Sequence, residues 1–301
     1  MHVRDIGSLI KSTVVEWIDD NAARVAASLA FYTLLSMAPL VVLSISMAGV
    51  VMGEDAVRGK LLNEVGAVIG PQAAGALNAI VTSAEQSQSG TLSSIISLIV
   101  LFVGASGVFG ELQYALDTIW GVKPKPQRGV MGIIKERLFS FSLVIGVAFV
   151  LLVSLLVSAA LSAVGKFMAD TLPGGAVVWQ MVNIAVSLGV ITVLFALIYK
   201  VVPDVEIRWR DVWVGALVTA VLFNIGKYLL GFYLGRSTVA SSYGAAGSVV
   251  ALVVWVYYSA QIVFVGAEFT QVFAKKYGVQ IRPSKNAMFI AEERLSSTGA
   301  T

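Results

Sequence analysis

Six stretches of this chain are each long and apolar enough to cross a bilayer, and that feature constrains its fold more than any other. They cover residues 25–52, 92–119, 138–164, 176–202, 212–234 and 247–273. A helix of about 20 mostly apolar residues traverses the hydrocarbon layer. Inside that layer each backbone N–H and C=O must find its partner within the protein, so helices are the expected spanning form. With 57% hydrophobic and only 13% charged residues, the chain also lacks the charge to cover a water-soluble surface. The expected fold class is an all-α integral membrane protein, a six-transmembrane-helix bundle. Its parts are a cytoplasmic N-terminal segment (1–24), a six-span membrane domain (25–273) and a loosely ordered cytoplasmic tail (274–301).

The segment between the first two stretches is too polar to span. Leu61, Leu62, Val65, Val68 and Ile69 recur there at helical spacing, which predicts an amphipathic helix at the membrane interface in the first external loop. Gly70-Pro71 breaks it, and a second helix is expected over 72–84.

Orientation follows from the basic residues, because cytoplasmic loops collect lysine and arginine. The N-terminal segment, the second loop, the fourth loop and the tail together hold sixteen, and the opposite side holds four: Arg58, Lys60, Lys166 and Arg236. Both termini are therefore expected in the cytoplasm. The N-terminus shows no short apolar core with a small-residue cleavage site, so no removable signal peptide is expected. The chain is expected to cross its membrane several times.

Several ionisable or polar groups interrupt the apolar spans. In span two, Gly104, Gly107, Glu111, Tyr114 and Thr118 share one helical face. Small residues there let a neighbouring helix approach, and the polar ones then meet groups on that neighbour. Glu111 lies roughly 12 Å of helix rise from Ile119, where a charge costs about 2–3 kcal/mol. It is read either as a proton- or cation-linked site on a substrate path, or as a structural pin. Span one repeats the design with Ser28, Tyr32 and Ser36 four apart, followed by Pro39, which frees backbone carbonyls. Tyr32 and Glu111 come out at similar depth, which permits a hydrogen bond if the two helices are neighbours.

In span six, Tyr257, Gln261, Glu268 and Gln271 fall near one face. Glu268 is read as an interfacial anchor for a cytoplasmic lysine or arginine, or as a second carboxylate facing a cavity shared with Glu111. Lys227, with Asn224 and Gly231 on its face, lies in the outer half of span five. It either snorkels to the interface or contacts an anionic headgroup or substrate. Gly244 and Gly247 before span six are further helix-packing candidates. Trp120, Trp179, Trp209, Trp213 and Tyr277 near span ends read as membrane-belt anchors.

Much chemistry is missing from the sequence. It has no cysteine, and its single histidine is His2. It shows no Walker loop, no GxSxG elbow and no HExxH pattern, so neither a catalytic metal nor any cofactor is expected. The net charge of +3 argues against nucleic acid as a partner. The basic stretch "WGVKPKPQRGVMGIIKERL" reads as a loop touching anionic lipid.

Three segments carry a resemblance: "AASLAFYTLLSMAPLVV", "ELQYALDTIWGV" and "SSYGAAGSVVALVVWVYYSAQIVFVGAEF". They resemble the YihY/BrkB family of bacterial inner-membrane proteins, over about residues 17–278. The resemblance implies six spans with both termini inside. Members have carried the label ribonuclease BN, regarded as a misannotation, and have also been named virulence factors and transporters of unsettled substrate. No enzyme activity is expected here. The expected function is a permease or flippase-like transporter of an amphiphilic or lipidic substrate, with proton linkage as an option. The alternative is a non-transporting scaffold or lipid-binding protein of the cell envelope. Membrane lipids are the expected partners, and a homo-oligomer is compatible with the sequence.

Overall fold

The computed structural model of the protein describes residues 3–53, 55, 58–59, 71–86, 107–125, 175–236, 247–278 and 281–290. Its helices are α1 (Val3–Asp19), α2 (Ala22–Met52), α3 (Pro71–Gln86), α4 (107–119), α5 (Gly175–Val201), α6 (Trp209–Arg236) and α7 (Gly247–Tyr277). Four short strands accompany them: β1 (Val122–Pro124), β2 (Val205–Glu206), β3 (Arg282–Pro283) and β4 (Ala287–Phe289). The expected span 138–164, the first part of span two and the expected helix around Leu61 lie outside the described residues.

Three described helices are long and apolar enough to cross a membrane: Trp179–Val201, Trp209–Tyr233 and Val249–Tyr277. Their outward faces are apolar rather than charged. Met181, Ile184, Tyr228, Leu229 and Phe232 are all more than half exposed, an arrangement unfavourable in water and suited to lipid. Polar residues such as Thr192, Thr219, Glu268, Thr270 and Gln271 are instead buried.

The chain divides into two compact units. The first holds Met1–Glu16, Leu116–Leu222 and Val265–Thr301. Within it α6 and α7 are locked by a reciprocal exchange. A Cβ added to Gly215 would run into the Thr270 side chain, and one added to Gly266 would run into Thr219 and lie 2.5 Å from the Tyr199 hydroxyl. The two contacts pair an earlier residue of one helix with a later one of the other, as antiparallel packing requires. Both threonine hydroxyls donate to the carbonyl one turn back, Thr219 to Gly215 at 2.8 Å and Thr270 to Gly266 at 2.6 Å. Thus each glycine admits a threonine whose hydroxyl is satisfied within its own helix.

Short strands knit the loops of this unit to the C-terminal segment. β1 pairs antiparallel with β4, Val122 opposite Phe289, and β2 pairs antiparallel with β3, Val205 opposite Pro283. The tail, expected to be loosely ordered from residue 274, is therefore structured over 281–290, with Ala287 buried. Ser284 N–H donates to the Asp204 carbonyl, and Ile290 N–H to that of Gly121. Gly121 itself ends α4 with a φ of 65°, a left-handed cap that glycine takes without strain.

The second unit holds Trp17–Ala115 and Phe223–Phe264. Here α2 continues through Pro39 as far as Met52. Helix α3, close to the expected 72–84, is not a free cap: Ala76 packs with Ala30 of α2 and with Leu252 and Val256 of α7. Leu77 and Val81 on α3 are likewise buried. Arg58 ties the segment after α2 to α3 by donating to Asn78 Oδ1 at 3.1 Å and Thr82 Oγ1 at 2.6 Å.

Candidate functional site

Small residues set the site geometry of the second unit. On α4, Gly107 lies against the ring of Tyr32, so closely that any side chain at 107 would strike it. Helices α2 and α4 are therefore neighbours there, as the small-residue face in span two predicts. Glu111 follows one turn later and is half-buried, whereas Tyr114 is exposed. Among the described residues no hydrogen bond joins Tyr32 to Glu111; the tyrosine ring meets the glycine instead, edge-on to Phe31 at 5.7 Å. Ser36 is buried and donates to the Thr33 carbonyl at 3.1 Å, a bond within its own helix. Gly104 and Gly244 lie outside the described residues, and Gly247 is the buried first residue of α7.

The same unit places Lys227 at a narrow seam between α6 and α7. Gly226 faces Ile262 and Tyr258 closely, 2.6 Å and 2.8 Å from where a Cβ would stand, which brings the helices together beside the lysine. Lys227, Tyr258 and Ser259 lie along this seam with Phe223, Trp255 and Ile262. Phe223 meets Trp255 edge-on at 6.3 Å, and the Lys227 ammonium stands 5.7 Å from the Tyr228 ring centre. A cation and two hydroxyls thus meet aromatic and aliphatic side chains along this seam, which encloses no space for a water-sized guest. Asn224 lies one turn before Lys227 and is half-buried. Gln261, one turn beyond Tyr257, is half-buried with its Oε1 covered and without a hydrogen-bond partner among the described residues.

In the first unit the polar residues serve mainly to hold elements together. The Tyr199 hydroxyl shares a hydrogen bond of 2.9 Å with Thr219. Gln271 donates through Nε2 to the Ile119 carbonyl, satisfying a buried carbonyl at the C-terminal end of α4 that has no partner within the helix. Asp117 accepts the backbone N–H of Asp204 at 2.7 Å, fixing the turn before β2. Lys200 in the last turn of α5 donates to the Ile207 carbonyl and lies 5.8 Å over the Trp209 ring.

Two expectations are corrected here. Glu268 is fully buried rather than exposed at the interface, and Lys275 and Lys276 pair with Glu16 and Asp5. Trp120 is also buried, not a belt anchor, while Trp209, Trp213 and Tyr277 are exposed as anchors should be. Glu268 and Glu111 belong to different units. Sequence reading passed over Asp117, Tyr199, Thr219 and Thr270. The signal that would have found the threonines is a repeated pattern, "GALVT" at 215–219 and "GAEFT" at 266–270.

Apolar faces turned outward, with polar groups held between helices, define a helical membrane protein. The chain belongs to the family described as "Virulence factor BrkB", whose model matches residues 13–291. Among curated relatives it is 28% identical to the "UPF0761 membrane protein" of Ralstonia nicotianae over 83% of this chain and 55% of that one. It is 26% identical to the protein of the same name from Coxiella burnetii over 85% of this chain and 89% of that one. A shorter match, 41% identical over 75 residues, joins it to the Tolumonas auensis protein, covering 25% of each. The chain spans about half the length of the Ralstonia relative that it matches. No solved structure matches it.

Proposed function

We propose that the protein is an inner-membrane permease or flippase-like transporter of an amphiphilic molecule with an anionic head. The observation that carries this reading is the α6–α7 seam at Lys227, where a cation and two hydroxyls meet aromatic and aliphatic side chains on helices made for lipid. A charge at membrane depth is costly unless it has work to do. In this reading six spans cross the membrane, both termini face the cytoplasm, and the protein catalyses no hydrolysis. Native mass spectrometry of the detergent-purified protein tests it: an anionic lipid should co-purify in excess over zwitterionic ones. A spectrum of bare protein in mild detergent would count against the proposal.

Proton linkage is the finer part of the proposal and rests on Glu111. It is half-buried one turn from the Tyr32–Gly107 contact, with no ion pair to a lysine or arginine among the described residues. If it cycles a proton, Glu111→Gln keeps its shape but fixes the neutral state, and proton-driven flux in vesicles should fall to the level of Glu111→Ala. Full flux in Glu111→Gln would remove the coupled role.

A specific observation also favours the alternative, a non-transporting scaffold. The hydroxyls of Ser36, Thr33, Thr219 and Thr270 all donate to carbonyls of their own helices, as residues that serve packing do. In that case lipid retention would survive while no movement of lipid across the bilayer would be measured.

A further inference from the structure

Helix α1 has three distinct sides. Leu9 and Thr13 are buried. Asp5 and Glu16 turn toward the last turn of α7, where Lys276 reaches Asp5 at 3.4 Å and the Ser8 hydroxyl at 2.8 Å, and Lys275 reaches Glu16 at 3.9 Å. The third side is a row of Ile6, Ile10, Val14 and Ile18, four residues apart and 45–59% exposed. At 100° per residue this row drifts only slowly around the helix, with Lys11 at its edge and the two carboxylates on the opposite side.

Where α1 lies relative to the bilayer follows from those ion pairs. Lys275 and Lys276 close a helix that is long and apolar enough to cross the membrane, so α1 is held at the level where that helix emerges. The direction of α1 is also constrained. Neighbouring lysines differ by only about 1.5 Å along α7, whereas Asp5 and Glu16 stand roughly 16 Å apart along α1. The two lysine arms therefore splay sideways, and α1 crosses the end of α7 instead of continuing along it.

From this geometry we infer that α1 is an in-plane interfacial helix that seats Ile6, Ile10 and Val14 at the headgroup–acyl boundary of an anionic bilayer surface. Charge complementarity selects this occupant. Asp5 and Glu16 are drawn away by Lys276 and Lys275, Asp19 falls on the side of α1 opposite Ile10 and Val14, and Lys11 beside the apolar row is left to meet lipid phosphates. The inference does not depend on transport, since a scaffold would use the same anchor.

Because the chain has no cysteine, single-cysteine labelling of the full protein is clean. Ile10→Cys and Ser12→Cys would each carry an environment-sensitive fluorophore in vesicles containing phosphatidylglycerol. Ser12 is exposed on another side of α1 and serves as the comparison. Phospholipids spin-labelled high on the acyl chain should quench the Ile10 label at least about threefold more than the Ser12 label, as an interfacial helix requires. A water-soluble quencher should show the reverse preference. Equal quenching at the two positions would overturn the proposal. So would an Ile10 label shielded from both lipid and water, which would mean that a second protein surface covers the row.

Discussion

Replacing Gly266 with leucine should leave little monodisperse protein after detergent extraction. At this position even a Cβ would collide with Thr219 and stand 2.5 Å from the Tyr199 hydroxyl, and Tyr199 is itself fully buried. Nothing nearby is the free end of a flexible chain that could swing aside, because the threonine is bonded to its own helix and the tyrosine to the threonine. Overpacking in a well-filled core costs about 1–3 kcal/mol, and a four-carbon side chain in this lock should reach the top of that range or exceed it. Any surviving protein should unfold roughly 6–12 °C lower, at a few degrees per kcal/mol for a chain of this size. Gly231→Leu is the control, since nothing lies within 4 Å of a Cβ there. It should be neutral or slightly stabilising, as glycine in a helix costs up to about 1 kcal/mol against other residues. The double variant Gly266→Ala with Thr219→Ala should fall less than the sum of the single changes, because the deleted hydroxyl is the nearest obstacle. A wild-type melting profile for Gly266→Leu would show that the α6–α7 contact is not as drawn.

The second large effect concerns Lys227. In Lys227→Met the seam keeps its apolar neighbours and loses its cation. Retention of an anionic amphiphile should then drop roughly ten- to a hundredfold, the worth of a charge-assisted hydrogen bond of about 1.5–3 kcal/mol. Lys227→Arg should retain most binding, since a guanidinium also holds phosphate. Folding should not suffer in Lys227→Met, because a charge is removed from an apolar span. Loss of binding together with loss of thermal stability would mark Lys227 as a structural residue instead. Unchanged binding in Lys227→Met would place the amphiphile elsewhere.

The long helices were legible because lipid imposes one requirement along many residues. Spans expected at 176–202, 212–234 and 247–273 appear as Gly175–Val201, Trp209–Arg236 and Gly247–Tyr277, with differences only at fraying ends. The close approach at Gly107 was legible for a similar reason: a small residue on a polar helical face announces a neighbour. What escaped has no periodic signal. Two- and three-residue strands pair across more than 75 positions of sequence, so the order of 281–290 could not be inferred from its polar composition. The burial of Glu268 escaped because counting residues from a span end measures depth, not the side of the helix that a neighbour covers. Gly266 and Thr270 face Thr219 and Gly215, and Glu268 stands roughly 200° further around α7, so its burial comes from another side of the helix that depth alone does not reveal. Trp120 shows the same limit, since an aromatic residue at a span end can face the protein as readily as the headgroups. For α1, its apolar positions four apart were visible in the sequence, but the lysines that hold it were not, being more than 250 residues away.

Transport itself is best tested in vesicles of neutral lipid that contain the purified protein and a trace of fluorescent phosphatidylglycerol. Dithionite added outside bleaches the outer leaflet at once, and further bleaching reports movement from the inner leaflet. The permease reading predicts that wild-type protein accelerates this second phase over protein-free vesicles, that Lys227→Met does not, and that a fluorescent phosphatidylcholine is moved less. A second phase as slow with wild-type protein as without it, in vesicles where the protein is folded and retains lipid, would contradict transport and leave the scaffold reading in its place.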